Sequence, residues 1–254
     1  MFDVWKEGLP EISGVSRSRS KLLEQIHFLR DRHMQSLCYI PLFKREHPAT
    51  WGDEITKTVK AYNERLNDIT LLPGQVLPLN DDLLTDLKAG KAIPLNKTLF
   101  VLVTLNGEDL QGAAEKLYRL AVAGYYPVLL YPEKDTRIQK NPDLLYKLVK
   151  QGAYTIMDAT SLLSITDKGR RKCIRALVSG NLIHMIGNYS EIFTKYDEDK
   201  VEEIDMVLSK INPAQKEQMK ENLGNLLSSK SIRIEEPLHI DKRSISSFFS
   251  KSKA

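Results

Sequence analysis

The sequence predicts an α/β fold: a Rossmann-like three-layer sandwich on a parallel sheet, with helical N- and C-terminal additions. Three observations carry this expectation. Leu99 to Leu105 is an apolar, β-branched run interrupted only by Thr104, the composition of a strand covered on both faces. From Leu110, the residues Ala113, Ala114, Leu117, Leu120 and Ala121 fall on one stripe at helical spacing, and Gly124 follows as a left-handed stop. Tyr126 to Tyr131 is a second apolar strand ended by Pro132, and Tyr154 to Met157 is a third. Between them Leu144, Leu145, Leu148 and Val149 give a helix its buried face, with Asn141-Pro142 at its start and Gly152 at its end. Strand–helix–strand–helix–strand over 99–157 is half of a doubly wound sheet with right-handed crossovers.

The chain has 254 residues, 42% of them hydrophobic, enough for one large core with appendages. The expected organisation is a mainly helical region over 1–94 packed on the core, a Rossmann-like core with C-terminal helices over 95–228, and a flexible basic tail over 229–254. No apolar run approaches the length of a membrane span, and the first residues lack a basic-then-apolar leader. A cytoplasmic or nuclear protein is therefore expected, neither secreted nor membrane-bound. Two cysteines, Cys38 and Cys173, make no disulfide framework and lack metal-ligand spacing. A net charge of +4 is mild, so its distribution matters more than its size.

Ahead of the core, serines at 16, 18 and 20 suit a helix N-cap, and a helical pattern runs from about 21 to 34. Leu37 to Ile40 reads as a strand or a buried helix end. Helical patterns follow over 53–66 and 81–87, separated by a turn-rich connector with Pro73-Gly74 and Pro78. Beyond the core, 167–179 is a basic helix, 182–186 a candidate strand, and 199–208 and 213–227 two amphipathic helices. Arg17, Arg19, Arg30 and Arg32 form one basic surface, and Lys168, Arg170, Arg171, Lys172 and Arg175 another. Each reads either as a solvated helix face or as a phosphate-contacting surface for DNA or RNA.

The default ligand position in such a fold is the loop after the first core strand, Asn106, Gly107, Glu108 and Asp109, continuing to Gly112. Gly107 and Gly112 have phosphate-loop spacing, but Ala113-Ala114 replaces the lysine and hydroxyl that hold phosphates and magnesium. The two carboxylates also oppose an anion there. These features argue against a P-loop triphosphate site. Val101-Leu102-Val103, Gln111-Gly112-Ala113-Ala114, Leu117, Gly124-Tyr125-Tyr126-Pro127 and Tyr131-Pro132 are similar to the YjeF N-terminal family over about 98–132. That resemblance implies a Rossmann-like domain of the kind found in NAD(P)HX epimerases and decapping-enhancer proteins. The turn and a downstream element depart from that family's pattern, so the resemblance implies a scaffold rather than an epimerase.

No catalytic constellation stands out. His27, His33, His47, His184 and His239 are scattered without metal-ligand spacing, so no metal and no cofactor are expected. Asp158, at the end of the third strand, is the best single acid, and equally a helix N-cap. In the tail, Lys242, Ile245, Phe248 and Phe249 resemble a PCNA-interacting peptide, or PIP box, which implies a sliding clamp as partner. The spacing sets three apolar side chains on one side of a single turn. The alternative is a tail whose phenylalanines pack back on the domain. The functional expectation is thus a clamp-tethered accessory protein of DNA replication or repair. Its rivals are a small-molecule or nucleotide-binding enzyme and an RNA-binding scaffold, and whether any catalysis occurs is left open.

Overall fold

In the computed structural model, which describes residues 1–5, 9, 18–105, 110–163, 167–196 and 199–240, eight parallel strands form two sheets. The first sheet holds β1 (Phe2–Trp5), β2 (Ser36–Tyr39) and β3 (Thr70–Pro73). The second runs in sequence order through β4 (Val76–Pro78), β5 (Phe100–Thr104), β6 (Tyr126–Leu130), β7 (Tyr154–Asp158) and β8 (Met185–Gly187). The described helices are α1 (Arg19–Arg30), α2 (Trp51–Asn63), α3 (Leu83–Lys88), α4 (Leu110–Val122), α5 (Thr136–Lys140) and α6 (Asp143–Lys150). They continue with α7 (Lys168–Ser179), α8 (Tyr189–Lys195), α9 (Asp199–Ile211) and α10 (Lys216–Leu227). The α/β class with parallel strands and covering helices is as expected.

The central β-α-β-α-β stretch forms as its composition dictates. Val101 and Val103 of β5 pack outward under the helices, while Leu102 faces the other way. Gly124 and Gly152 take φ of 88° and 95°, the left-handed stops that close α4 and α6. Residues 1–94 contribute four strands, β1 to β4, that are too short to show a clear period in the sequence. The polar stretch after Pro132 holds the short helix α5, capped by the Asp135 carboxylate accepting from Arg137 N at 2.8 Å.

The inner faces of the two sheets share a second core. Val4, Cys38, Ile40, Val76, Leu102, Val128, Ile156 and Met185 meet there, joined by Leu223, Leu226 and Leu227 of α10. Backbone hydrogen bonds knit one sheet to the other: Val76 N donates to Pro41 O at 3.0 Å and Phe43 N to Val76 O at 2.8 Å. On the other side β1 lies against β8. A Cβ added to Gly187 would stand 2.9 Å from Val4 Cγ2 and 3.3 Å from Asp3 Oδ1, so this approach requires glycine. Gly187→Ala is expected to cost about 1–3 kcal/mol by overpacking, read as a lower urea midpoint with an unchanged m-value.

Because every strand is parallel, all carboxyl ends lie on one edge. Chemistry in an open α/β sheet belongs at that edge.

Candidate functional site

A cluster of buried polar side chains occupies the carboxyl ends of β1, β6, β7 and β8. Asp3, Glu133, Asp158, Ser161, Asn188 and Ser190 are all buried there. Asp3 is the second residue of β1 and reaches across to the turn after β8. Its Oδ1 accepts from Asn188 N at 2.5 Å and its Oδ2 from Ser190 N at 2.7 Å. These backbone donors open α8, and the carboxylate binds them as an internal anion at a helix N-terminus. Burial, opposed by these bonds, pushes the Asp3 carboxyl up to about 6.

Asp158 ends β7 and is 1% exposed. Its Oδ1 accepts from Thr160 N at 2.9 Å, Thr160 Oγ1 at 2.8 Å and Asn188 Nδ2 at 3.0 Å. The N-cap role foreseen for it is thus filled, at a short helical turn over Ala159–Leu162. Its Oδ2 accepts from Lys134 Nζ in a close ion pair. Lys134 is 43% exposed along its side chain and its ammonium lies 5.0 Å from the centre of the Tyr131 ring. Tyr131 itself is held at φ 54°, an unfavourable backbone region for a bulky residue.

Glu133 follows Pro132 and turns inward. Its Oε1 accepts from Asp158 N at 3.2 Å and Ser161 Oγ at 2.8 Å, while Oε2 is buried without a hydrogen-bond partner. Burial, more than the neighbouring Asp158, pushes this carboxyl up to about 7. Arg170 reaches the same network from α7, donating from Nη2 to Ser161 Oγ at 3.1 Å. Asn188 Nδ2 also donates to Glu191 Oε2 at 2.7 Å, and Lys195 closes the chain at Glu191 Oε1 at 2.9 Å.

Of the residues singled out in the sequence, Asp158 and Arg170 enter this network. Gly112 lies in the first turn of α4. Asn106, Gly107, Glu108, Asp109, Arg17, Lys242, Ile245, Phe248 and Phe249 lie outside the described residues. The Arg19 guanidinium sits 4.7 Å from the Tyr62 ring centre and that of Arg32 3.5 Å from the Phe28 ring centre. Arg30 forks onto Asp31 at 2.8 and 3.0 Å. On α7, the opposite face buries Cys173, Ile174, Leu177 and Val178, leaving Lys168, Arg171 and Arg175 exposed and Lys172 half-buried.

Residue by residue, the sequence misses Asp3, Glu133, Lys134, Asn188 and Ser190. Their common signal is position, within four residues of a strand end, which is visible only once the strands are placed.

A family model described as capsular polysaccharide synthesis, CpsB/CapC, matches residues 1–224. The chain belongs to the CpsB/CapC family. Among relatives, the tyrosine-protein phosphatase YwqE of Bacillus subtilis (strain 168) is 30% identical over 192 residues, 74% of this chain and 76% of YwqE. The putative tyrosine-protein phosphatase CapC of Staphylococcus aureus is 24% identical over 204 residues, 76% and 78% of the two chains. A chain from the crystal structures of Bacillus subtilis YwqE and Streptococcus pneumoniae CpsB superposes with a TM-score of 0.80 at 23% identity. The match covers 95% of this chain and 100% of that one, and those proteins are described as unique metal-dependent tyrosine phosphatases.

CpsB/CapC membership corrects several expectations. The resemblance to the YjeF N-terminal family does not hold, since the match over 1–224 is to another family. Its forty residues carry the strand–glycine turn–helix–strand period that parallel α/β units share. The clamp-tethered replication or repair role, the sliding clamp as partner and the DNA or RNA reading fall with it, because the family model is described as capsular polysaccharide synthesis and the relatives are named as a tyrosine-protein phosphatase and a putative one. An aliphatic residue followed at short spacing by two aromatics is too small a pattern to identify a partner. The relatives are bacterial, which leaves a nuclear location without support. No helix among the described residues is long and apolar enough to cross a membrane.

The metal named for the solved relatives is the decisive test of the site. Among the described residues, no group of three or more His, Cys, Asp or Glu side chains is placed to hold a metal ion. His27 and His33 lie on and just after α1, His184 precedes β8, His239 lies against Tyr146 and His47 stacks on Trp51. At the strand ends, both oxygens of Asp3 and of Asp158 already accept N–H donors, and an ammonium stands on Asp158. A divalent cation on Asp158 would meet the Lys134 ammonium at close range, a repulsive arrangement. The described donor set does not fit a catalytic metal.

Proposed function

We propose that this chain serves capsular polysaccharide synthesis as a non-hydrolysing member of the CpsB/CapC family. In this reading it binds a phosphotyrosyl segment of a partner protein without cleaving it through a metal ion. The observation that carries the reading is the Lys134 ammonium on the buried Asp158 carboxylate, a fixed internal cation at the strand ends. What supports the partner chemistry is the naming of YwqE and CapC as tyrosine-protein phosphatases. Lys134 and Arg170 give this edge two cationic groups suited to phosphoryl oxygens. The reading places the protein in the bacterial cytoplasm, where protein tyrosines are phosphorylated from ATP.

The experiment pairs hydrolysis with binding, using a phosphotyrosyl peptide as probe. Phosphate release is followed with Mn²⁺, Mg²⁺ or Zn²⁺ added, and peptide affinity is measured with EDTA present. The expected result is no release above the protein-free rate with any metal, and affinity that survives EDTA. Lys134→Ala should weaken the peptide by about tenfold, the size of one charge-assisted contact. Metal-stimulated release would overturn the non-hydrolysing reading. Absence of peptide binding would overturn the phosphotyrosyl partner while leaving the metal-free site standing.

A further inference from the structure

The outward face of α4 exposes side chains that gain nothing from water. The inward face buries Ala113, Leu117 and Leu120. Opposite them, at spacings of three and four, stand Glu115, Tyr118, Arg119 and Val122, all exposed. Val122 and Tyr118 are the two most exposed large hydrophobics among the described residues, at 69% and 57%. The β-branched valine is also a poor helix former, so no local preference accounts for it. Past the helix end Tyr126 and Leu99 are exposed as well, and Tyr126 N donates to Leu99 O at 2.9 Å. Four of the ten exposed large hydrophobics among the described residues thus belong to this one region. Apolar side chains scattered singly are ordinary, whereas a cluster of them marks a surface that another molecule covers.

Charge decides which molecule. The face holds one carboxylate and one guanidinium, Glu115 and Arg119, and neither forms an ion pair among the described residues. Lys116, next along the helix, turns aside to Asp81 at 3.5 Å. Lys147 and Lys150 of α6 stand off this face, beside Leu110 and Ala114. Carrying no net charge, the face is complementary to neither an acidic nor a basic partner. A second copy of the same face supplies what it lacks. Parallel alignment of two α4 helices would set Glu115 on Glu115 and Arg119 on Arg119. Antiparallel alignment about a two-fold axis between Tyr118 and Arg119 brings each Glu115 within reach of the partner's Arg119. It also sets that guanidinium beside a tyrosine ring, a favourable cation–π arrangement. Tyr118 and Val122, four residues apart, form a ridge of the kind that packs into the groove of a facing helix.

We propose that the outward face of α4 is a homodimer interface, formed isologously by Glu115, Tyr118, Arg119 and Val122 of two copies of this chain. Leu99 and Tyr126 border it at the starts of β5 and β6, the amino edge of the second sheet. The buried carboxylates lie at the opposite edge, so the dimer leaves both strand-end clusters open. The proposal is therefore independent of whether that cluster binds or hydrolyses phosphotyrosine. A patch of six residues is small beside the roughly 20–30 residues a side of a standard interface, so the dimer is expected to form at tens of micromolar.

The experiment is sedimentation equilibrium of the full 254-residue chain over about 1–500 μM, a range that brackets such a dissociation constant. The expected result is an average mass that climbs from monomer toward dimer and no further. Tyr118→Glu/Val122→Glu should stay monomeric at every concentration with the circular dichroism of the parent, since both side chains are exposed. Arg119→Glu and Glu115→Arg should each weaken the dimer by about tenfold, because each sets like charges against one another. Glu115→Arg/Arg119→Glu restores opposite charges and should return the dissociation constant to within about twofold of the parent value. This charge exchange stands apart from the folding of the apolar variant. A parent chain that is monomeric throughout would overturn the proposal. So would a dimer that survives Tyr118→Glu/Val122→Glu, or a charge-exchanged chain that associates no better than either single variant. Mass growing past the dimer would overturn the closed two-fold arrangement.

Discussion

Asp3→Ala is expected to lower stability by about 2–4 kcal/mol, the largest effect of any single change at the strand-end cluster. Its carboxylate accepts from two buried backbone amides, Asn188 N and Ser190 N, and alanine leaves both without a partner. Each stranded donor costs about 1–3 kcal/mol. Part of that is offset, because burying the carboxylate is itself unfavourable, as its raised pKa records. Asp3→Asn separates the contributions: the amide keeps one acceptor and turns an N–H donor toward the other amide. Urea unfolding should place Asn between Asp and Ala or level with Ala. Since Asp3 joins β1 to the turn after β8 across 185 residues of sequence, the loss should be global. Exchange protection should fall in the first sheet and in α8 together.

Glu133→Gln is expected to remove one contribution to the pH dependence of stability. The Glu133 carboxyl titrates at about 7 in the fold against 4.5 ordinarily, so between those values the native state holds a proton that the unfolded chain has released. Stability contributed by this group is therefore intact below about pH 4.5 and falls as pH rises to about 7. Asp3 acts in the same direction between 3.8 and about 6. His184 opposes them: burial lowers it from 6.5 to about 4, so the unfolded chain takes up the proton and stability falls as pH drops through that window. The Gln variant isolates Glu133. Parent minus variant stability should decline from pH 4.5 to pH 7.5 by about 3 kcal/mol at most, taking 1.4 kcal/mol per pKa unit. A difference flat across that range would show that Glu133 is ionised in the fold, in spite of its unpartnered buried Oε2.

The parts of the fold that were legible in the sequence are those with local causes. β5, α4, β6, α6 and β7 each carry a full apolar pattern and their own stop, so Gly124, Pro132 and Gly152 marked real ends. Asp158 was legible for the same reason, as an acid at the junction of an apolar strand and a polar turn. β1 was not: four residues at the start of the chain, with Asp3 inside them, are too short to carry a strand period of their own. The site shares that property. Asp3 finds Asn188, Lys134 finds Asp158, and Arg170 finds Ser161 only after the parallel strands bring their ends to one edge. No spacing along the chain encodes such pairs. The tail motif erred in the opposite sense, since its apolar triad was real sequence but a short pattern carries no information about which surface receives it.

The ion pair at Asp158 is the centre of the proposed non-hydrolysing reading, because a metal ion on that carboxylate would meet the Lys134 ammonium. Thermal unfolding of the parent protein with EDTA, and then with millimolar Mn²⁺, Mg²⁺ or Zn²⁺, tests it most directly. A metal bound only by the native state would stabilise it by about 2.7 kcal/mol at a hundredfold excess over its Kd, moving Tm by several degrees. The account predicts midpoints in the three metals that coincide with the EDTA midpoint. A rise of several degrees in any of them, abolished by Asp158→Asn, would contradict it.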